Sequence, residues 1–340
     1  MIFTVQAGAN FVNTATSTPN FADLKPLREV FGRRVRQNAP LARYTAAQIG
    51  GPALALLEVK TAEELAIAVR ALWKIGIPWL IIGGGSNILV SDRGVAGVVL
   101  LNRARKIEFA PEGQPPVVWA ESGANFGLVA RRAASLGLSG LEWAAGIPGT
   151  VGGAVVGNAG AHGGDMAGNL LVADILQQGS RPAEAQVEKW SAANMEFSYR
   201  SSLLKRQRGK VVVLRAMLVL AQSTPAEVQQ KMDSFASYRR RTQPPGASLG
   251  SMFKNPGGDY AGRLIDAAGL KGLRIGQAQI SPRHANFFVN LGQAAAQDVF
   301  QLIQTAQARV AEKFGVKLEL EIELVGEWGG LNQAGNQGKG

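Results

Sequence analysis

The sequence predicts a mixed α/β and α+β protein built from more than one lobe. Three observations carry that prediction. The chain has 340 residues, more than one compact core ordinarily holds. A strand–helix–strand unit is written between Leu54 and Val90. Beyond it the pattern changes to short strands and glycine-rich stretches, and the last third restarts with long helical segments.

In the first unit, Ala53–Val59 reads as a strand. Thr61 caps a helix, and Glu64 completes a Thr-x-x-Glu capping box. Leu65, Val69, Leu72 and Trp73 share one helical face, and Gly76 and Pro78 stop the helix. The strand Trp79–Ile82 then delivers the chain into Gly83-Gly84-Gly85-Ser86-Asn87. Short strands follow at Val98–Leu101, Ile107–Phe109 and Val117–Ala120, then a helix at Asn125–Leu136. After a second glycine-rich stretch, Gly146–Gly164, come strands at Leu171–Gln177 and Val211–Leu220. Helices near Pro225–Arg240, Tyr260–Ala268 and Ala295–Phe314 enclose strands around Gln277–Ile280 and Asn286–Asn290, and Lys317–Val325 reads as a closing strand. Residues 1–24 lack periodicity and are expected to fray, and the polar tail 328–340 is expected to be disordered.

Composition narrows the chemistry. Hydrophobic residues make up 46% and charged residues 18%, a globular balance. No apolar run is long enough to span a bilayer, and the first twenty residues lack the Lys or Arg of a secretory leader, so the expected location is cytoplasmic. Cysteine is absent and histidine is limited to His162 and His284, which argues against a metal centre. Redox chemistry would therefore need a bound organic cofactor. The net charge of +11 raises nucleic acid as a partner, but only Arg239-Arg240-Arg241 forms a dense basic run. A cleft that gathers small anionic ligands accounts for the charge without it.

The Gly83–Asn87 loop sits directly after a strand, where consecutive glycines let backbone N–H groups converge on an anion. It reads as a pyrophosphate cradle; the simpler alternative is a tight turn. It is neither a Rossmann fingerprint nor a P-loop, because Ile88 occupies the third glycine position and no Gly-Lys-Ser/Thr follows. The stretch from Gly146 to Gly160 is too glycine-dense for an ordinary helix. The two segments are expected to form walls around a flat, extended cofactor.

Three further patterns carry reactive groups. Phe197-Ser198-Tyr199-Arg200 sets a guanidinium beside aromatics. Gly250-Ser251-Met252-Phe253-Lys254-Asn255-Pro256 places a hydroxyl, a cation and an amide together. Leu318-Glu319-Leu320-Glu321-Ile322-Glu323 alternates like a strand with its carboxylates on one face. Alone, they are better read as a surface cation, a turn hydroxyl and an edge-strand charge.

Taken in order, these motifs resemble the UDP-N-acetylenolpyruvoylglucosamine reductase family. The resemblance runs from about Tyr44 to Glu327 through IGGPA (Ile49–Ala53), GGGSNILVSD (Gly83–Asp92) and the long segment Gly137–Gly163. It continues through FSYR (Phe197–Arg200), GSMFKNP (Gly250–Pro256), AGRLIDAAGLKG (Ala261–Gly272), His284–Phe287 and the final LELEIELVG. It implies a two-lobed vanillyl-alcohol-oxidase (PCMH)-type FAD-binding domain over 45–222, with lobes of about 45–105 and 106–222. A smaller α+β substrate-binding domain would follow over 223–327.

The implied activity is NADPH-dependent reduction of UDP-N-acetylglucosamine enolpyruvate to UDP-N-acetylmuramate through non-covalent FAD, a step of peptidoglycan synthesis. The resemblance implies cofactor contacts at Gly83, Gly84, Gly85, Ser86, Asn87 and Ile88, and along Gly146, Ile147, Pro148, Gly149, Gly152 and Gly153. It implies Arg200 as the stabiliser of charge on the substrate carboxylate, Ser251 as proton donor and Glu321 as a carboxylic acid beside the same carboxylate. Tyr199, Arg239, Gln243, Lys254, Asn255 and His284 are implied to contact the UDP-sugar. A monomer without nucleic-acid or membrane partners is expected. Two departures stand out: the chain lacks the tyrosine-bearing loop of one subtype, and Gln48 replaces a basic residue common before Ile-Gly-Gly. The alternatives are an FAD-linked sugar or alcohol oxidase on the same cofactor domain and, more remotely, a nucleic-acid-binding protein.

Overall fold

The structure, a computed structural model, describes residues 19–180 and 184–328. The readings of residues 1–18 and of the tail from 329 onward lie outside the described residues.

The first sheet is short and mixed. Its strands run in the spatial order Val35–Pro40, Pro52–Val59, Val95–Asn102, Trp79–Ile82. The last three are parallel neighbours and the first is an antiparallel edge. The helix Ala62–Ile75 covers this sheet through Leu65, Ala68, Val69, Leu72 and Trp73 and stops at Gly76 in the left-handed conformation. Burying such side chains stabilises by about 1.5–3 kcal/mol for each large one. Thr61 accepts from the Glu64 amide as expected, but the Glu64 carboxylate accepts from Lys60 N (2.8 Å) and from Arg34 rather than closing a capping box.

The chain is built into this lobe well before residue 45. Asn20 caps the turn Phe21–Leu24. Leu24, Leu27 and Phe31 pack into the core with the helix Ala62–Ile75. Residues 20–24 are thus ordered by burial of Leu24, contrary to the fraying expected of them.

The second sheet is antiparallel, in the order Gln186–Ser191, Leu170–Gln177, Val211–Val219, Val117–Glu121, Ile107–Ala110. One face shares Leu176, Val212 and Leu214 with the core of the first lobe. The other is covered by the helices Phe126–Ser135 and Val151–Gly157 and by Val228 and Met232 of the helix Pro225–Thr242. The helix Val151–Gly157 corrects the expectation that glycine density excludes one. Thr150 caps it, accepting from Gly153 N, and Gly152 lies so close to Ser122 that only a glycine fits.

The third sheet, in the order Ala247–Ser251, Phe287–Asn290, Ala278–Ile280, Arg274–Ile275, packs against Ala261–Ala267 and Ala296–Phe314. The chain then returns to the first lobe. Glu323–Val325 pairs in parallel with Ile88–Val90, the segment that leaves the glycine loop. Lys317–Val325 is therefore not one strand, because only its last three residues are in a ladder. Upstream, Leu320 makes an isolated bridge to Phe253.

The Arg34–Glu64 pair ties the N-terminal segment to the helix. Its Arg34 hydrogen bond, chiefly, holds the Glu64 carboxyl down at about 2. A depressed carboxylate contributes stability above its ordinary pKa, and that contribution is lost as pH falls through the folded value. Glu64→Gln is expected to cost about 0.5 kcal/mol at pH 7, given the half-exposed Arg34. The difference from wild type should shrink between pH 4.5 and about 2, as read by urea unfolding.

Candidate active site

The glycine loop is fixed by its carbonyls. Gly83 O accepts from Arg103 Nη1 (2.9 Å), Gly85 O from Ala46 N (2.9 Å) and Asn87 O from Glu323 N (2.9 Å). Among the described residues, no acceptor takes the backbone N–H of Gly84, Gly85, Ser86 or Asn87. Carbonyls bound to protein and amides left open make the donor set an anion needs. The second glycine segment closes directly on the first. A Cβ on Gly84 would lie 3.0 Å from Gly149 Cα, and Ser86 Oγ donates to Pro148 O (3.1 Å). Part of the glycine density therefore serves loop-to-loop packing, not only the cofactor wall expected of it.

Two of the side chains expected to be reactive meet directly. Arg200 Nε donates to Glu321 Oε1 (2.8 Å), and Arg200 Nη2 donates to Gly160 O (3.0 Å). Arg200 Nη1 has no partner among the described residues, so one edge of the guanidinium is open. Burial raises the Glu321 carboxyl above the usual range, against the lowering pull of Arg200, Lys205 and Lys254. Glu321 N donates to Met252 O (3.0 Å), which sets it beside the strand that carries Ser251. Glu321 O accepts from Asn87 Nδ2 (3.2 Å), which ties it to the glycine loop. The Ser251 hydroxyl has no hydrogen-bond partner among the described residues.

Residues 242–325 match the family of the UDP-N-acetylenolpyruvoylglucosamine reductase C-terminal domain, and residues 53–177 match an FAD binding domain family. The UDP-N-acetylenolpyruvoylglucosamine reductase of Chloroflexus aggregans is 41% identical over 302 residues, covering 88% of this chain and 100% of that protein. That of Rubrobacter xylanophilus is 45% identical over 290 residues, covering 85% and 94%. The chain belongs to the UDP-N-acetylenolpyruvoylglucosamine reductase family. The crystal structure of the Thermus caldophilus reductase is similar at a TM-score of 0.72 and 38% identity, covering 86% of this chain and 99% of that one.

The other residues expected in the reductase site fall into separate groups. Lys254 Nζ lies 3.4 Å from Glu319 Oε2. Asn255 Oδ1 accepts from Ala261 N (3.1 Å), so its amide helps start the helix Ala261–Ala267. The His284 ring packs over Gly262 in that helix, and its Nδ1 accepts from Asn286 N (3.2 Å). Burial, chiefly, lowers the His284 pKa. Arg239 is turned inward against Gly146, while Arg240 and Arg241 are exposed, so the basic run is not one continuous face. Gln243 ends the same helix, and its carbonyl accepts from Arg283. Tyr199 is exposed with Arg200 over its ring at 5.3 Å. Gln48 adopts a left-handed conformation (φ 57°). His162 stacks on Phe235 at 4.2 Å.

Several supporting residues escaped the sequence reading. Arg103 anchors Gly83, and Asn286 braces Phe253 through both backbone groups. Lys205, Arg208 and Glu323 form a cluster behind Arg200. Two of them had a visible signal: Asn286 lies in the His284–Phe287 motif, and Glu323 is the third member of the Leu/Glu alternation.

Gly85 gives the cofactor cradle a direct test. It sits at φ +61°, and an added Cβ would lie 2.0 Å from Tyr44 O. Gly85→Ala is expected to weaken FAD retention by at least about tenfold through displacement of the loop, measured as flavin content and as the dissociation constant by fluorescence. Wild-type FAD affinity in that variant would contradict the cradle.

Proposed function

We propose that the chain reduces the enolpyruvyl double bond of UDP-N-acetylglucosamine enolpyruvate to give UDP-N-acetylmuramate, with NADPH as reductant, in peptidoglycan synthesis. The observation that carries this reading is a half-buried Glu321 paired with Arg200 and tied through its backbone to both the glycine loop and the segment that follows Ser251. FAD, when bound, supplies the hydride relay between NADPH and the substrate. The open amides of Gly84–Asn87 suit its pyrophosphate, and the remaining chemistry falls to this chain's side chains.

Hydride addition to an enolpyruvyl group leaves negative charge in its carboxylate. The free edge of the Arg200 guanidinium suits that developing charge. A bare carboxylate at Glu321 would repel it, but burial favours the neutral acid, which donates a hydrogen bond instead. Ser251 supplies the proton that completes the reduction. A serine hydroxyl is a weak acid, so it transfers only to a strongly basic enolate-like carbon, which confines the transfer to the charged state. Arg239, Gln243, Lys254, Asn255 and His284 are assigned to the UDP-sugar in this reading. An oxidase reading shares the cofactor cradle but gives Ser251 and Glu321 no task.

The test is anaerobic. NADPH should bleach the yellow protein, and adding UDP-N-acetylglucosamine enolpyruvate should restore the colour. Ser251→Ala should slow colour return by about 10²–10⁴-fold while bleaching persists. If the colour returned only on admitting oxygen, the oxidase reading would replace this one. Colour return should also fall with rising pH as Glu321 ionises, with its limb above the ordinary carboxylate range. Glu321→Gln, neutral at every pH, should flatten that limb, and a limb that persisted in this variant would remove Glu321 from the mechanism.

A further inference from the structure

Arg200 adopts a left-handed backbone conformation (φ 55°) in a tight turn where Ser198 and Ser201 exchange backbone hydrogen bonds at 3.0 Å. A non-glycine residue is held there only where its surroundings over-determine it. The surroundings here are ionic. Lys205 Nζ reaches Arg200 O at 3.5 Å and Glu323 Oε1 at 3.6 Å. Glu323 is itself held by both ends of the Arg208 guanidinium, and Arg208 Nε donates back to Lys205 O (3.1 Å). Through its amide, Glu323 is bound to Asn87 O in the cofactor loop.

These contacts close a ring: Asn87 to Glu321, Glu321 to Arg200, Arg200 to Lys205, Lys205 to Glu323, and Glu323 back to Asn87. Lys205 is the member whose charge is least at home. It is largely buried beside Arg208 and Lys254, and burial pulls its ammonium below the usual lysine range. A lysine kept in such a place needs a task for its charge, and covering apolar surface would not supply one.

We propose that Lys205 is a positioning residue: by bridging the Arg200 carbonyl to the Glu323 carboxylate, it holds the left-handed turn that aims the Arg200 guanidinium at Glu321. The inference rests on the reductase reading for what Arg200 then does. Lys205 acts through Arg200 and is not itself placed against substrate.

The groups facing Glu321 are Arg200, Lys205 and Lys254, and each favours its ionised form. Removing Lys205 takes away one cation and releases the turn that keeps Arg200 close. Both changes favour the neutral acid, so the Glu321 limb should move to higher pH. Loss of packing alone would not move it.

Lys205→Met, Lys205→Gln and Lys205→Arg, each as FAD holoenzyme, would be compared with wild type. The readout is anaerobic colour return with UDP-N-acetylglucosamine enolpyruvate across pH, alongside the thermal midpoint. Lys205→Met should slow colour return at least about tenfold with the limb shifted upward. Lys205→Arg should recover most of the rate and the wild-type limb. Lys205→Gln, which keeps a donor but no charge, covers the case in which the methionine variant does not hold FAD, and should be slow with a raised limb. Wild-type rates and an unmoved limb in the glutamine or methionine variant would overturn the proposal. So would a lowered thermal midpoint with the limb unmoved. Failure of wild type to regain colour would instead overturn the reductase reading itself.

Discussion

The site depends on how Asn87 grips the returning chain. Its side-chain amide donates to Glu321 O, and its own carbonyl accepts from Glu323 N, two residues further on. That pincer fixes the segment that follows the helix Ala296–Phe314 against the loop whose backbone amides are open. Parallel pairing of Glu323–Val325 with Ile88–Val90 extends the grip. The glycine loop and Glu321, more than two hundred residues apart, are thereby held in register. Without it, Glu321 and Ser251 would belong to a different layer from the glycine loop.

The same segment concentrates charge over a short stretch of chain. Glu319, Glu321 and Glu323 each find a different cation: Lys254, Arg200, and Lys205 with Arg208. The pairs at Glu321 and Glu323 are partly buried, whereas that at Glu319 is exposed. What the arrangement provides is orientation. Glu321 is driven toward its neutral form while keeping a guanidinium against one oxygen, a combination that solvent would not sustain. Some of the net charge of +11 thus serves internal geometry as well as attraction of anionic ligands.

Much of the fold was legible in the sequence where periodicity was strong. The strand Trp79–Ile82 and the helix Ala62–Ile75 follow from apolar spacing and their stop signals. Weak patterns failed. The edge strand Val35–Pro40 buries only two of its six residues, and Gln186–Ser191 is almost wholly exposed, so neither shows the alternation that announces a strand. The Leu/Glu alternation at 318–323 misled in the opposite sense. It reflects three carboxylates paired with separate cations, of which only Glu323 lies in a strand. The helix Val151–Gly157 was hidden by its glycines, whose intrinsic cost is offset by the Thr150 cap and by packing against Ser122. In the site, Arg200 and Glu321 lie 121 residues apart, and only family resemblance joined them beforehand. Lys205 and Arg208 belonged to no motif and became visible only through the contacts they make.

Asn87 and Arg200 act as parts of one connected ring, although among the described residues no hydrogen bond links the two directly. A double-mutant cycle with Asn87→Ala and Arg200→Lys, measured as the rate of substrate-dependent colour return at saturating FAD, tests it. The account predicts strong non-additivity, the double variant being slower than the worse single variant by no more than about threefold, because breaking the ring once removes most of what a second break would remove. Two rate losses that simply multiplied would show two independent contacts and contradict the account.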